Sequence, residues 1–396
     1  MSNEGPARDL ELMQARVKFV PEGWSFSRVA NVFEIRNNLR KPISEGERAK
    51  NPGPYPYYGP TKIQDYIGIY CQDGSYALIG EDGDHFLKFR NQKMTQLVDG
   101  KCTVNNHAHV IEGTSKACRE WFYYYFMNRD IFSFLSRQGA GRYKLNKAAL
   151  EKIPLLVPPL AEQRKIAEIL STWDEAIATT EQLLANSEQQ KKALMQQLLT
   201  GKKRLPGFEG EWQKVELGKV LNYRQPTPFL VKSTEYSDEY PTPVLTAGKT
   251  FILGHTDEEF GVFKDGLPVI IFDDFTTSSR FVGFEFKVKS SAMKILSARA
   301  GYSTKYVFEA MQMIRYAVGG HQRHWISIYA NLVVPMPSLE EQEAIASVLS
   351  AADDEIEALR EYIERLKAEK KALMQQLLTG KRRIKVEADD TEAASA

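Results

Sequence analysis

The twelve residues KKALMQQLLTGK occur twice, at 191–202 and again at 370–381, a shift of 179 positions. Identity of that length does not arise by chance, and a fixed-period repeat means that one supersecondary unit has been built twice. The same ungapped shift pairs Pro158 with Pro337, Leu160 with Leu339, Glu162-Gln163 with Glu341-Gln342, Ile166-Ala167 with Ile345-Ala346, and Asp174 with Asp353. The chain is therefore a tandem duplication: a variable region, a similar segment, a second variable region and a second similar segment.

The similar segments read as helices. In the second, Ile345, Leu349, Ala352, Ile356, Leu359, Ile363, Leu366, Lys370, Leu373 and Leu377 alternate steps of four and three, which is a coiled-coil seam. The first carries an aligned, weaker stripe from Ile166 to Leu198. Prolines precede each helix and Gly201 or Gly380 follows it, the usual start and stop signals. About 40 residues make a helix of roughly 60 Å. Two such helices packed antiparallel would carry two globular regions with pseudo-two-fold symmetry, so the fold expected is α+β: two repeat-related mixed α/β domains joined by two long helices. Met195, Leu199, Met374 and Leu378 lie off the main stripe, either as extra core contacts or as a docking site for a partner.

At 396 residues the chain has room for two or three domains. Lys plus Arg total 52 against 51 acidic residues, so any affinity for nucleic acid must come from local patches. Three cysteines at irregular spacing form no disulfide framework, and Cys102, His107 and His109 lack a second ligand pair at zinc-site spacing. No apolar run reaches the length of a membrane span and the N-terminus lacks a signal-peptide core, so a cytoplasmic protein is expected.

Each variable region begins near a Pro, Gly and Trp cluster: Pro21, Gly23 and Trp24, then Pro206, Gly207 and Trp212. Strand-like segments such as 268–272 and 284–288, together with helical stretches around 120–128 and 304–316, make both regions mixed α and β. The aromatic run 121–126 reads as a helix buried on its apolar face rather than a base-stacking platform. Just before each long helix lies a Gly-rich stretch. The first holds Arg137, Gln138, Arg142, Tyr143, Lys144 and Lys147, and the second His321, Gln322, Arg323, His324 and Trp325, with Gly141 pairing with Gly320. Glycine lets a backbone approach closely, Arg and Lys neutralise phosphates, and Arg or Gln can read base edges. A second pair of stretches, Thr246, Gly248, Lys249 and Thr250 with Tyr58 and Lys62, suits phosphate or base contact, or is simply a turn between strands. Thr276 and Thr277 join the candidate DNA-contacting residues.

Catalytic readings compete with this one. Gly248-Lys249-Thr250 ends like a P-loop, but Pro243 stands where the leading glycine is required. Asp273-Asp274 followed by Glu285-Phe286-Lys287 resembles the acidic and Glu-x-Lys elements of metal-dependent nucleases. Pro158-Pro159 lies in Val-Pro-Pro-Leu, which is not the base-gripping motif of adenine methyltransferases, so no catalytic residue is assigned. A coiled-coil scaffold that binds proteins and no DNA is a further alternative.

The run Leu-x-Val-Pro-Pro-Leu-Ala-Glu-Gln-Arg-Lys-Ile-Ala-Glu-Ile-Leu at 155–170, its counterpart at 334–349, and the twofold Leu-Leu-Thr-Gly-Lys ending resemble the specificity subunit of type I restriction-modification enzymes, usually called HsdS. The resemblance implies a target-recognition domain at 19–157, a first spacer helix at 158–203, a second target-recognition domain at 204–335 and a second spacer helix at 336–381. An N-terminal segment at 1–18 and a disordered tail at 382–396 flank them. It implies a non-catalytic reader of a bipartite DNA site, each domain reading one half and the helices setting the gap. It also implies double-stranded DNA, two methyltransferase subunits and restriction-translocase subunits as partners, with no membrane. No cofactor is expected in this chain; S-adenosylmethionine, ATP and Mg²⁺ would belong to the partners, which would flip and methylate an adenine in each half-site.

Overall fold

The computed structural model describes residues 12–13, 16–138, 142–246, 250–315, 325 and 328–385. They fall into two units, Met1–Thr179 with Ile363–Ala396, and Thr180–Tyr362. The long helices Leu160–Leu198 and Leu339–Leu377 are 39 residues each, as the seam predicts, and each contributes a stretch to both units.

In the first unit, strand β1 (Ser25–Arg28) pairs antiparallel with β10 (Pro154–Val157), Ser25 opposite Val157. Between them lie β2 (Glu34–Ile35), β3 (Pro52–Tyr58), β4 (Ile63–Ile67), β5 (Gln72–Gly80), β6 (Thr95–Val104) and β7 (Ala108–Glu112), which form one sheet in the order β2-β7-β5-β6-β3-β4. All its pairings are antiparallel except β3 with β6. The helix Arg119–Phe126 buries Trp121, Phe122, Tyr125 and Phe126, so the aromatic run is core. A short hairpin, β8 (Ser136–Gln138) with β9 (Arg142–Lys144), precedes β10.

The second unit repeats this plan. Strand β11 (Gln213–Glu216) pairs antiparallel with β19 (Val333–Met336). Strands β12 (Leu221–Arg224), β15 (Val269–Asp273), β16 (Ser279–Val282) and β18 (Met293–Ala298) run in the order β12-β18-β15-β16, matching β2-β7-β5-β6. Strands β13 (Thr242–Leu245), β14 (Ile252–Thr256) and β17 (Lys287–Val288) form a separate sheet in which β13 is parallel to β17, as β3 is to β6. The strand expected at 284–288 shortens to two residues, because Phe284 and Glu285 are exposed and Phe286 only bridges to Phe263. The helix expected at 304–316 is Thr304–Gln312.

The repeated Glu-Gln motif ties each long helix to its own globular domain. In the first unit Glu162 accepts from Trp24 Nε1 at 2.9 Å and from Arg383 Nε and Nη2, each at 2.9 Å. In the second, Glu341 accepts from Trp212 Nε1 at 3.1 Å and from Arg204 Nε and Nη2 at 2.5 and 2.7 Å. Each arginine also lies over its tryptophan ring, 5.5 and 5.4 Å from the centroid. The neighbouring glutamines are equally matched. Gln163 donates to Pro158 O and accepts from Cys118 N, while Gln342 donates to Pro337 O and accepts from Ser303 N. Cys118 and Ser303 are the N-cap residues of the two domain helices, so one amide side chain joins two helix starts.

The lysines of the predicted seam meet the aspartates of the repeat. Lys370 Nζ lies 2.5 Å from Asp174, and Lys191 Nζ lies 2.5 Å from Asp353. Each pair joins the two long helices within one unit and fixes an antiparallel register there. Asp174 also accepts from Tyr124, and Asp353 from Lys305. Burial raises both carboxyls, but the lysines outweigh it and hold them below their ordinary range.

Both long helices end on a glycine with positive φ, +70° at Gly201 and +68° at Gly380, with the chain closed by Lys203 N to Gln197 O and Arg382 N to Gln376 O. Gly201→Ala is expected to cost about 1–2 kcal/mol for the left-handed backbone alone. A Cβ there would meet Trp212 at an ordinary 3.5 Å, whereas a Cβ at Gly380 would lie 2.2 Å from Pro21 Cγ. Gly380→Ala should therefore lower the thermal midpoint more than Gly201→Ala; equal shifts would contradict this packing.

Candidate nucleic-acid interface

In the first unit, the chain leaving the central strand β5 places Glu81 as an anchor. Its carboxylate pairs with Arg40 and with Lys144 at 3.2 Å, and its carbonyl accepts from Leu145 N at 2.8 Å. Burial works against the ionised form, but the hydrogen bonds from Arg40 and Lys144 hold Glu81 below the usual carboxylate range. Buried His109 donates from Nε2 to Leu145 O at 2.7 Å and accepts from Asn37 at Nδ1, which fixes the neutral tautomer; burial lowers its pKa. These contacts clamp the β8–β9 hairpin onto the sheet.

On that hairpin Arg137 stands opposite Tyr143, its guanidinium 5.9 Å from the ring centroid, and Gln138 stands opposite Arg142. Arg137 and Arg142 are exposed. Lys144 is corrected from a phosphate-neutralising candidate to a structural one, because its charge is paired with Glu81. Tyr143 packs against Phe132, and Lys147 pairs with Glu151 one helical turn on. Residues 139–141, Gly139 and Gly141 among them, lie outside the described residues. Tyr58 closes β3 half-buried, with burial pushing its pKa up, while Lys62 is exposed in the turn to β4, where Gly59 N donates to its carbonyl at 2.9 Å.

The second unit uses an acid at the same place. Asp274 follows β15, the counterpart of β5, and accepts from Trp325 N at 2.8 Å while its other oxygen lies 3.5 Å from Lys294. Trp325 is buried against Phe272. Asp274 thereby holds the end of the predicted Gly-basic stretch, whose His321, Gln322, Arg323 and His324 lie outside the described residues, as do Gly319 and Gly320. Thr276 and Thr277 occupy the turn from β15 to β16, where Asp273 accepts from the Thr276 hydroxyl and from Phe275 N. Thr246 N donates to Phe251 O at 2.8 Å and Thr250 is exposed, so this stretch is the turn between β13 and β14; Gly248 and Lys249 lie outside the described residues.

Two alternatives that the sequence leaves open find no support among the described residues. The nuclease grouping does not assemble: Asp273 and Asp274 belong to the sheet of β15, whereas Lys287 belongs to the other sheet, is buried, and pairs with Glu258 at 2.8 Å. Glu285 is exposed, and no metal-holding group of His, Cys, Asp and Glu occurs among the described residues. The partner-docking reading also fails for Leu199 and Leu378, which are buried in the cores of their own units, and Met195 and Met374 are partly buried against the same clusters. Extra core contact is the reason these positions are apolar. The sequence does not mark Glu81 or Asp274 as an anchor: Asp274 reads only as part of an acidic pair, and Glu81 carries no signal.

Two topologically equivalent domains, in each of which an acid at the end of the central strand binds a residue ahead of the long helix, Lys144 in one and Trp325 in the other, define a duplicated protein. A family model described as the type I restriction modification DNA specificity domain matches residues 21–189 and again residues 209–368, and the chain belongs to that family. Its role is DNA sequence recognition, without catalysis of its own. It is 45% identical over 153 residues to the type I restriction enzyme EcoR124I/EcoR124II specificity subunit of Escherichia coli, a match that spans 37% of either chain. It is 29% identical over 332 residues to the putative type I restriction enzyme specificity subunit S.HindORF215P of Haemophilus influenzae, covering 80% of this chain and 84% of that one. Its fold resembles that of the type I restriction-modification system S subunit from M. genitalium, with a TM-score of 0.70 at 13% identity, covering 91% of this chain and 97% of that one. No helix among the described residues is long and apolar enough to cross a membrane.

Proposed function

We propose that each globular domain reads one half of a split DNA sequence, that the two long helices set the gap between the halves, and that partner subunits do the chemistry. The partners are two methyltransferase subunits, which use S-adenosylmethionine to methylate an adenine in each half-site, and restriction-translocase subunits, which use ATP and Mg²⁺. The observation that carries this reading is the twofold anchor: Glu81 in one domain and Asp274 in the other hold the segment that precedes the long helix. A reader needs its contact groups held by a rigid scaffold, since positioning precedes discrimination.

In the first domain the exposed pair Arg137 and Arg142 contacts DNA, with Lys62 and the half-buried Tyr58 on a second turn. In the second domain the contacts come from Thr246, Thr250, Thr276 and Thr277, and from the segments 247–249 and 321–324. Substituting Arg137 and Arg142 together by alanine is expected to weaken binding by about 1–3 kcal/mol for each base pair that is no longer read. Competition binding with duplexes altered in one half-site at a time should show relaxed discrimination in a single half-site. Equal relaxation in both would contradict the assignment of one half to each domain.

A further inference from the structure

Phe275 stands at the tip of the β15–β16 hairpin with 42% of its surface exposed. A single exposed ring is ordinary on a protein surface. The turn that carries it is not ordinary. Thr277 has a φ of +60°, a conformation that β-branched residues rarely adopt. Such backbone persists only where its surroundings over-determine it, and it clusters at functional sites.

Asp273 supplies that over-determination. Its side chain accepts from Phe275 N at 3.1 Å and from the Thr276 hydroxyl, its carbonyl accepts from Thr277 N at 2.9 Å, and its own N donates to Ser278 O at 2.8 Å. Asp274 then pins the base of the turn to Trp325 N and Lys294. The tip is thus tied down by these hydrogen bonds, with Phe275 and Thr276 exposed at its end and Thr277 half-buried beside them. The corresponding connection of the first domain, residues 81–94 between β5 and β6, is longer and carries Asp82, Asp84, Lys88 and Arg90 beside the exposed Leu87. The two domains thus present different side chains at equivalent places.

An uncharged apolar tip has one distinctive partner on the floor of the major groove, the C5-methyl group of thymine. We infer that Phe275, flanked by Thr276 and Thr277, contacts a thymine methyl in the half-site read by the second domain, an inference that rests on the reading of one half-site per domain. Phe275 is then a specificity-determining residue, whereas Asp273 positions it.

The test uses the full chain in complex with its methyltransferase partner and a duplex bearing the methylated site, with each thymine replaced in turn by deoxyuridine, which removes only the methyl. At one position in a single half-site the replacement should weaken binding roughly 4-fold, the equivalent of one buried methyl group. The same replacement should leave Phe275→Ala unchanged, while that variant keeps its discrimination in the other half-site, which shows that it is folded. If no uracil position weakened the unaltered complex, or if every sensitive position stayed equally sensitive in Phe275→Ala, the inference would be overturned. Absence of any sequence-specific binding by the unaltered complex would overturn the DNA reading and this inference with it.

Discussion

Replacing Glu341 by alanine is expected to destabilise the second unit by about 3 kcal/mol, the low end for breaking a buried ion pair by removing one partner. The Glu341 side chain is 1% exposed and receives three hydrogen bonds, two from Arg204 and one from Trp212, all of which lose their acceptor. Arg204 is partly exposed and regains water, which keeps the loss from being larger. Glu162→Ala should produce a matching loss in the first unit through Trp24 and Arg383. Glu341→Gln keeps one acceptor oxygen and should lose less than alanine does. Urea unfolding of the three variants checks the order; an alanine variant as stable as the unaltered chain would show that the motif is not a structural tie.

Acid should weaken the first unit well before its carboxylates titrate. His85 is buried, and burial lowers its pKa to about 4. The unfolded chain binds that proton near pH 6.5. The unfolded state therefore holds more protons between these values, so stability is complete above about pH 6.5 and falls as the pH drops toward 4, by roughly 3 kcal/mol from His85 alone. His109, lowered in the same direction, adds to the loss. Below about pH 4 the depressed carboxyls of Glu81 and Asp174 in this unit, and of Asp353 in the second, lose their ion pairs, and the stability they supply above that pH goes with them. Unfolding midpoints of the chain and of His85→Phe, followed from pH 8 to pH 4, should converge in slope only if His85 carries no part of this dependence. A clearly flatter profile for His85→Phe is the expected result.

The helices were the most legible part of the molecule because their seam repeats at a period that a single sequence displays. The duplicated Glu-Gln pair was visible as identity, but its purpose was not, since its partners Trp24 and Arg383 lie 138 and 221 positions from Glu162. Arg204 and Arg383 are themselves related by the repeat shift, just beyond the identical block. The seam lysines Lys191 and Lys370 have no partner visible in the stripe itself, and only the fold brings Asp353 and Asp174 opposite them. Strand order was hidden for a different reason. The globular regions have diverged in sequence while keeping the same topology, so the common plan shows only in the strand order and pairing, down to the parallel pairs β3 with β6 and β13 with β17.

The candidate site was legible as chemistry and not as architecture. Glycine and arginine before each long helix signalled a contact surface, whereas the acids that anchor it resembled ordinary surface charge or, at Asp274, a fragment of a nuclease. Lys144 shows the limit of charge counting, since a basic residue in a basic stretch is committed to Glu81. Phe275 gave no signal at all, because the strain that marks it lies in the backbone of Thr277.

Single-molecule methylation sequencing of a methyl-free host that expresses this chain with the methyltransferase encoded beside it tests the central claim most directly. One split motif, methylated on both strands and lost when this chain is omitted, is the predicted result. Absence of any motif, although the two proteins co-purify and the methyltransferase is folded, would contradict it.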